Sequence, residues 1–166
     1  MPDPCYLTID GVSKSFGSGR DAVAAIGHVS FQLQKGRFLS ILGPSGCGKS
    51  TLFNIIAGLI EPDTGDVRLM GRSTVGRPGM TGYMLQKDLL LPWHTIADNI
   101  ILGPTLQGMP RRSALEAAMP DVEACGLTGL LQRRPDELSG GQRQRAALVR
   151  TLQTGKELLL DRKSVV

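Results

Sequence analysis

The sequence predicts an α/β fold with an N-terminal antiparallel β subdomain and an inserted helical subdomain. Three observations predict it. Residues 6–12 and 29–35 alternate apolar and polar side chains, the pattern of half-buried strands. A glycine-rich loop at 43–50 joins an apolar run at 37–42 to a stretch in which Leu52, Ile55, Ile56 and Leu59 recur at helical spacing. After about Asp88 the strand pattern fades, and residues 96–154 carry no convincing strand.

The elements follow in order. The two alternating segments are joined by a flexible connection containing Gly17, Ser18 and Gly19. The run 37–42 is denser in apolar residues and is expected to form a central strand. The helix after the loop weakens at Gly58, and Pro62-Asp63-Thr64-Gly65 is a turn. Asp66–Met70 and Gly82–Leu85 read as short strands. Ile96–Leu102 and Arg112–Gly126 read as helices, the second with Leu115, Met119 and Val122 along it. Pro120 should break that helix near Met119, because a proline inside a helix costs about 3 kcal/mol. A last helix is expected from Gly140 to about Gln153, with Ser139 as its N-cap. Glu157–Leu160 looks like the start of a buried strand. The functional division expected is 1–86, 87–153 and 154–166.

Composition limits the function classes. The chain has 166 residues, 41% hydrophobic and 20% charged, enough for one packed domain with a small insertion. It carries 19 basic and 15 acidic residues, a net charge of +4, and only 4% aromatics. That leaves little for base stacking, so no nucleic-acid partner is expected. No run approaches the roughly 18 apolar residues of a membrane span, and no secretory signal is visible. Cys5, Cys47 and Cys125 are far apart, which reads as reduced thiols without a disulfide or zinc framework.

Gly43-Pro44-Ser45-Gly46-Cys47-Gly48-Lys49-Ser50, followed by Thr51, satisfies the pattern GxxxxGK[ST]. Glycines let successive N–H groups turn inward around phosphate oxygens. The helix that follows adds partial positive charge at its start. Lys49 is placed to reach the β- and γ-phosphates, and the Ser50 hydroxyl to ligate Mg²⁺. The motif also sits between an apolar run and an amphipathic helix, the context this chemistry needs. Cys47 fills a variable position between two glycines. A second glycine signature, Leu138-Ser139-Gly140-Gly141-Gln142, lies at the start of the last helix and offers another anion-binding helix end.

Together, the phosphate loop and LSGGQRQR resemble the nucleotide-binding subunit of an ABC transporter, a P-loop ATPase. The resemblance covers residues from about 5 to 160. It implies that ATP and Mg²⁺ bind at Gly43–Thr51. It implies that Ser139, Gly140 and Gly141, supported by Gln142, close on ATP held by a second nucleotide-binding subunit in a head-to-tail dimer. Phe16 resembles the aromatic that stacks on adenine. Gln86, where core gives way to helices, resembles the glutamine that contacts Mg²⁺ and the attacking water. The helical insertion resembles the part that docks on membrane permease subunits. A cytoplasmic location on the inner face of the plasma membrane follows from that docking, with no direct membrane insertion. The stretch Leu85–Trp93 either packs inside the helical part or receives the permease. Its LLPW pattern is similar to importers for nitrate, sulfonates, taurine and pyrimidine thiamine precursors. The alternatives are a non-transport ABC ATPase and a nucleotide-binding remnant that does not hydrolyse.

The sequence departs from the family pattern at its end. The family's strand of four apolar residues followed by Asp and a catalytic Glu is here Leu158-Leu159-Leu160-Asp161-Arg162. Asp161 falls where the fourth apolar residue is expected, and Arg162 has no basic lone pair at neutral pH. Residues 161–166 are therefore expected not to be native, the core sheet to be incomplete at the C-terminus, and turnover to be absent.

Overall fold

The computed structural model describes residues 5–162. It divides into two compact units, one up to Met80 and one from Thr81.

The first unit is built on strands β1 (Cys5–Phe16) and β2 (Val23–Gln34), joined through a short 3-10 turn at Gly19–Asp21. The alternation at 6–12 and 29–35 thus reports two longer antiparallel strands. β3 (Thr64–Leu69) and β4 (Arg72–Ser73) complete a four-stranded antiparallel sheet in the order β2-β1-β3-β4. Its core follows from register. Leu7 pairs with Leu69 and Ile9 with Val67, and all four side chains are buried. A bulge interrupts β1 after Asp10. Gly65 fits there at φ 82°, because any side chain would strike the backbone of Asp10 and Gly11. Helix α1 (Lys49–Ile56) buries Leu52, Ile55 and Ile56. Leu59, the fourth member of the expected stripe, lies beyond the helix and is exposed.

The central strand expected at 37–42 does not form. Residues 37–44 have no regular structure, and Phe38 and Leu42 are 92% and 86% exposed. Apolar density alone does not make a strand: the ladder needs a hydrogen-bonding neighbour. Among the described residues none pairs with this segment.

In the second unit, β5 (Gly82–Met84) pairs in parallel with β6 (Leu159–Asp161), so the two short strands expected there form and meet. Between them lie α2 (Ile96–Ile100), α3 (Leu102–Leu106), α4 (Arg111–Ala124) and α5 (Gly140–Leu152). Their core holds Leu90, Ile96, Ile100, Ile101, Val122, Leu127 and Val149, with Ala114, Ala118, Ala146 and Ala147 allowing close helix approach. The break expected near Met119 is absent: α4 runs unbroken through Pro120. Its buried stripe is Ala114, Ala118 and Val122, with Leu115 and Met119 only partly buried. Burial of that stripe on both sides of the proline offsets the hydrogen bond Pro120 cannot donate. No helix is long and apolar enough to cross a membrane among the described residues. Of the tail expected to be non-native, residues 163–166 lie outside the described residues.

Candidate functional site

In the first unit the phosphate-binding pattern forms an exposed loop, Gly43–Cys47, running into α1. Lys49 turns back over it. Its Nζ donates to the Gly43 carbonyl at 2.5 Å and the Pro44 carbonyl at 2.7 Å, and lies 3.5 Å from Cys47 Sγ. The ammonium therefore sits within the curve of the loop. Gly48 holds φ 94° as the N-cap of α1, and any side chain there would strike the Ala25 carbonyl of β2. Glycine is thus required twice over, by conformation and by contact. α1 has no side-chain cap and no acidic residue in its first turn. Its first amides are thus left without a side-chain acceptor at the turn that carries Lys49, a chemistry suited to phosphate. Ser50 and Thr51 are half-buried in the same turn.

Phe16 ends β1 opposite Val23 and is 46% exposed. Because Lys14 pairs with Ile26 and Gly48 abuts Ala25 and Ile26, Phe16 and the phosphate loop share one end of the β1–β2 hairpin. Lys14 Nζ stands 5.8 Å from the Phe16 ring centroid. Asp63 organises this corner. One carboxylate oxygen accepts from Lys14 Nζ and the other from the Ser15 amide, both at 2.7 Å. These two contacts hold the Asp63 carboxyl below the usual carboxylate range. In the sequence Asp63 is one residue of the turn at 62–65, with no local pattern that marks this contact.

In the second unit Gln86 follows β5 and is exposed. Ser139 caps α5 in a reciprocal box. Its hydroxyl accepts from the Gln142 amide at 3.3 Å, and its amide donates to Gln142 Oε1 at 2.8 Å. Gln142 is therefore spent on shaping the turn. Gly140 and Gly141 are exposed, and a side chain added to Gly141 would meet nothing within 4 Å. The helix end is open to approach.

Three further residues tie these segments together. Arg143 and Arg150 reach from α5 to Asp88 and Leu89, just after Gln86. Asn99, fully buried, accepts from the Leu91 amide at 2.7 Å and donates to the carbonyls of Leu91 and Thr95. Their spacing carried a signal: Arg143 and Arg150 are seven residues apart, two turns on one helix face. Leu85, Leu89 and Trp93 are exposed and Leu90 is buried, so the Leu85–Trp93 stretch is only partly absorbed into packing.

The residues fit the ligands that the loop implies. A Mg²⁺ ion is commonly held by one or two protein oxygens together with substrate phosphates and water. Ser50 can supply one such oxygen. Among the described residues no cluster of three or more His, Cys, Asp or Glu could hold a metal alone.

Residues 26–161 match the sequence profile of the family described as ABC transporter. The chain belongs to this family. It is 43% identical over 155 residues to the uncharacterized ABC transporter ATP-binding protein YtlC of Bacillus subtilis, covering 93% of this chain and 60% of that protein. It is 40% identical over 154 residues to the taurine import ATP-binding protein TauB of Pseudomonas aeruginosa, covering 93% and 59%. The chain thus spans about three fifths of these relatives. Among solved structures it superposes on the dimeric post-hydrolysis state of the ATP-binding cassette MJ0796 bound to ADP and Pi. The TM-score there is 0.83 at 28% identity, over 93% of this chain and 72% of that one. It also superposes on a nucleotide-free ABC transporter cassette, with a TM-score of 0.78 at 26% identity over 93% and 67%. The fold is that of an ABC ATPase cassette, a P-loop NTPase.

Proposed function

We propose that the chain is the ATP-binding part of an ABC importer subunit and binds Mg-ATP through Gly43–Thr51. The observation that carries this is the exposed loop with Lys49 drawn into its curve, next to a helix start with no side-chain cap. On ATP binding, Lys49 exchanges its bonds to the Gly43 and Pro44 carbonyls for phosphate oxygens. The exchange replaces neutral acceptors with charged ones, which strengthens each bond. Loop amides hold the remaining oxygens, and Phe16 offers an exposed face to adenine. Ser50 is the residue of the loop that would hold Mg²⁺, which would supply charge neutralisation on the phosphates. Ser139, Gly140 and Gly141 act on ATP bound to a second nucleotide-binding subunit, arranged head to tail, with Gln142 keeping the cap in shape. The likeness to a taurine import protein supports import and a sulfonate-type solute. In that role the chain sits on the cytoplasmic side of the plasma membrane, held by permease subunits.

Turnover needs a group that polarises water. Asp161 stands where the family pattern has its fourth apolar residue, no Glu follows it, and the neighbouring Arg162 guanidinium cannot take the proton. The 166-residue chain therefore binds ATP without releasing phosphate at a meaningful rate. The test is displacement of a fluorescent ATP analogue, with phosphate release followed in parallel. Lys49→Ala should abolish binding, and the unaltered chain should show no release above background. Undiminished binding by Lys49→Ala would remove the loop from the site.

A further inference from the structure

Arg143 touches two segments far apart in sequence. Its Nε donates to Asp88 Oδ2 at 3.1 Å, and its Nη1 donates to the Leu138 carbonyl at 2.7 Å. Asp88 lies two residues after Gln86, and Leu138 immediately precedes Ser139. Both side chains of the pair are only about one third exposed, at 35% and 28%, so solvent screens it less than an open surface pair. Arg150, on the same face of α5, fixes the main chain beside this contact. Its Nη2 donates to the Asp88 carbonyl at 2.6 Å and its Nη1 to the Leu89 carbonyl at 2.7 Å. Leu89 stands at φ 46°, a conformation costly for a residue with a side chain. Asp88 Oδ1 accepts from the Leu90 amide at 3.3 Å, and Asn99 holds Leu91 from the other side. The turn after Gln86 is therefore over-determined, and every group that determines it is on α2, on α5 or within the turn itself.

We infer that Arg143 is a positioning residue that couples the segment following Gln86 to the Ser139–Gly141 cap, with Arg150 holding the turn through which the coupling acts. The inference rests on the proposed function, in which the Ser139–Gly141 cap faces nucleotide. One planar guanidinium bonded to both segments makes them move as one body. A displacement of Gln86 then shifts the cap that serves the second subunit, and the reverse.

Amide hydrogen exchange on the full 166-residue chain tests this. Arg143→Lys keeps the charge, but one ammonium lacks the fork that spans both oxygens. It should raise exchange about tenfold at the hydrogen-bonded amides of Leu90 and Leu91 and of Ser139 and Gln142 together, the size expected for a lost charged hydrogen bond. Exchange at Ala146–Val149 should stay unchanged. Asp88→Asn should raise exchange at 139–142, although that segment is distant in sequence. Arg143→Ala should reproduce both effects, and if it does not fold the other two variants decide. The coupling is overturned if Arg143→Lys behaves as the unaltered chain, or if Asp88→Asn leaves 139–142 unmoved. A titration of the unaltered chain with a fluorescent ATP analogue separates the two claims. Absence of binding sinks the nucleotide reading, and the exchange data still decide the coupling.

Discussion

Asp63 shows how one exposed carboxylate sets a corner of the site. Its two oxygens join the Lys14 ammonium to the Ser15 amide, one residue before Phe16. Its folded pKa lies below the ordinary 3.8. The sign follows from linkage: the contact contributes stability above the unfolded value and loses it as pH falls through the lowered folded value. The Ser15 amide chemical shift should therefore titrate with a midpoint below 3.8. A midpoint at or above that value would mean the contact is not formed in solution, and Asp63→Asn should abolish the transition. Asn99 makes a separate prediction. It is fully buried and satisfies both the amide and the carbonyl of Leu91. Asn99→Leu leaves buried polar groups unpaired and should cost roughly 2 kcal/mol or more in chemical denaturation. A loss below about 0.5 kcal/mol would show that water replaces the side chain freely.

At the scale of elements, helix ends were legible and helix continuity was not. Ser139 and Gln142 sit three apart before an apolar run, and that local spacing is enough to specify the cap. The phosphate loop was legible for the same reason, since its chemistry needs glycines, Lys49 and Ser50 at fixed intervals. Pro120 misled because its penalty is local, while the compensation is tertiary: Ala114, Ala118 and Val122 pack against other helices. This predicts that Pro120→Ala restores the missing hydrogen bond and stabilises the second unit by about 1–3 kcal/mol. No gain on thermal or chemical unfolding would mean the helix is already bent to suit the proline. The seven-residue spacing of Arg143 and Arg150 puts them on one helix face but names no partner, because arginines on a helix face ordinarily meet water. Only the fold brings Asp88 and Leu89 beneath them.

For the whole molecule, strand pairing is what the sequence conveyed least. The antiparallel sheet was readable because alternation along β1 and β2 reports one buried face. The run at 37–42 has the composition of a central strand, yet strand formation depends on a partner that no local pattern names. Phe38 and Leu42 are left almost fully exposed, and Leu39 is 44% exposed. Contiguous exposed apolar side chains favour self-association. The chain should show concentration-dependent light scattering that falls in a Phe38→Ser/Leu42→Ser variant. Equal scattering from both proteins would place the sticky surface elsewhere. The central claim is that the Gly43–Thr51 loop is where this ABC family chain holds the phosphates of ATP. Amide exchange with and without Mg-ATP tests it most directly. Protection is expected across residues 43–51, lost in Lys49→Ala and absent with adenosine alone. Mg-ATP binding that leaves those amides unprotected would contradict it.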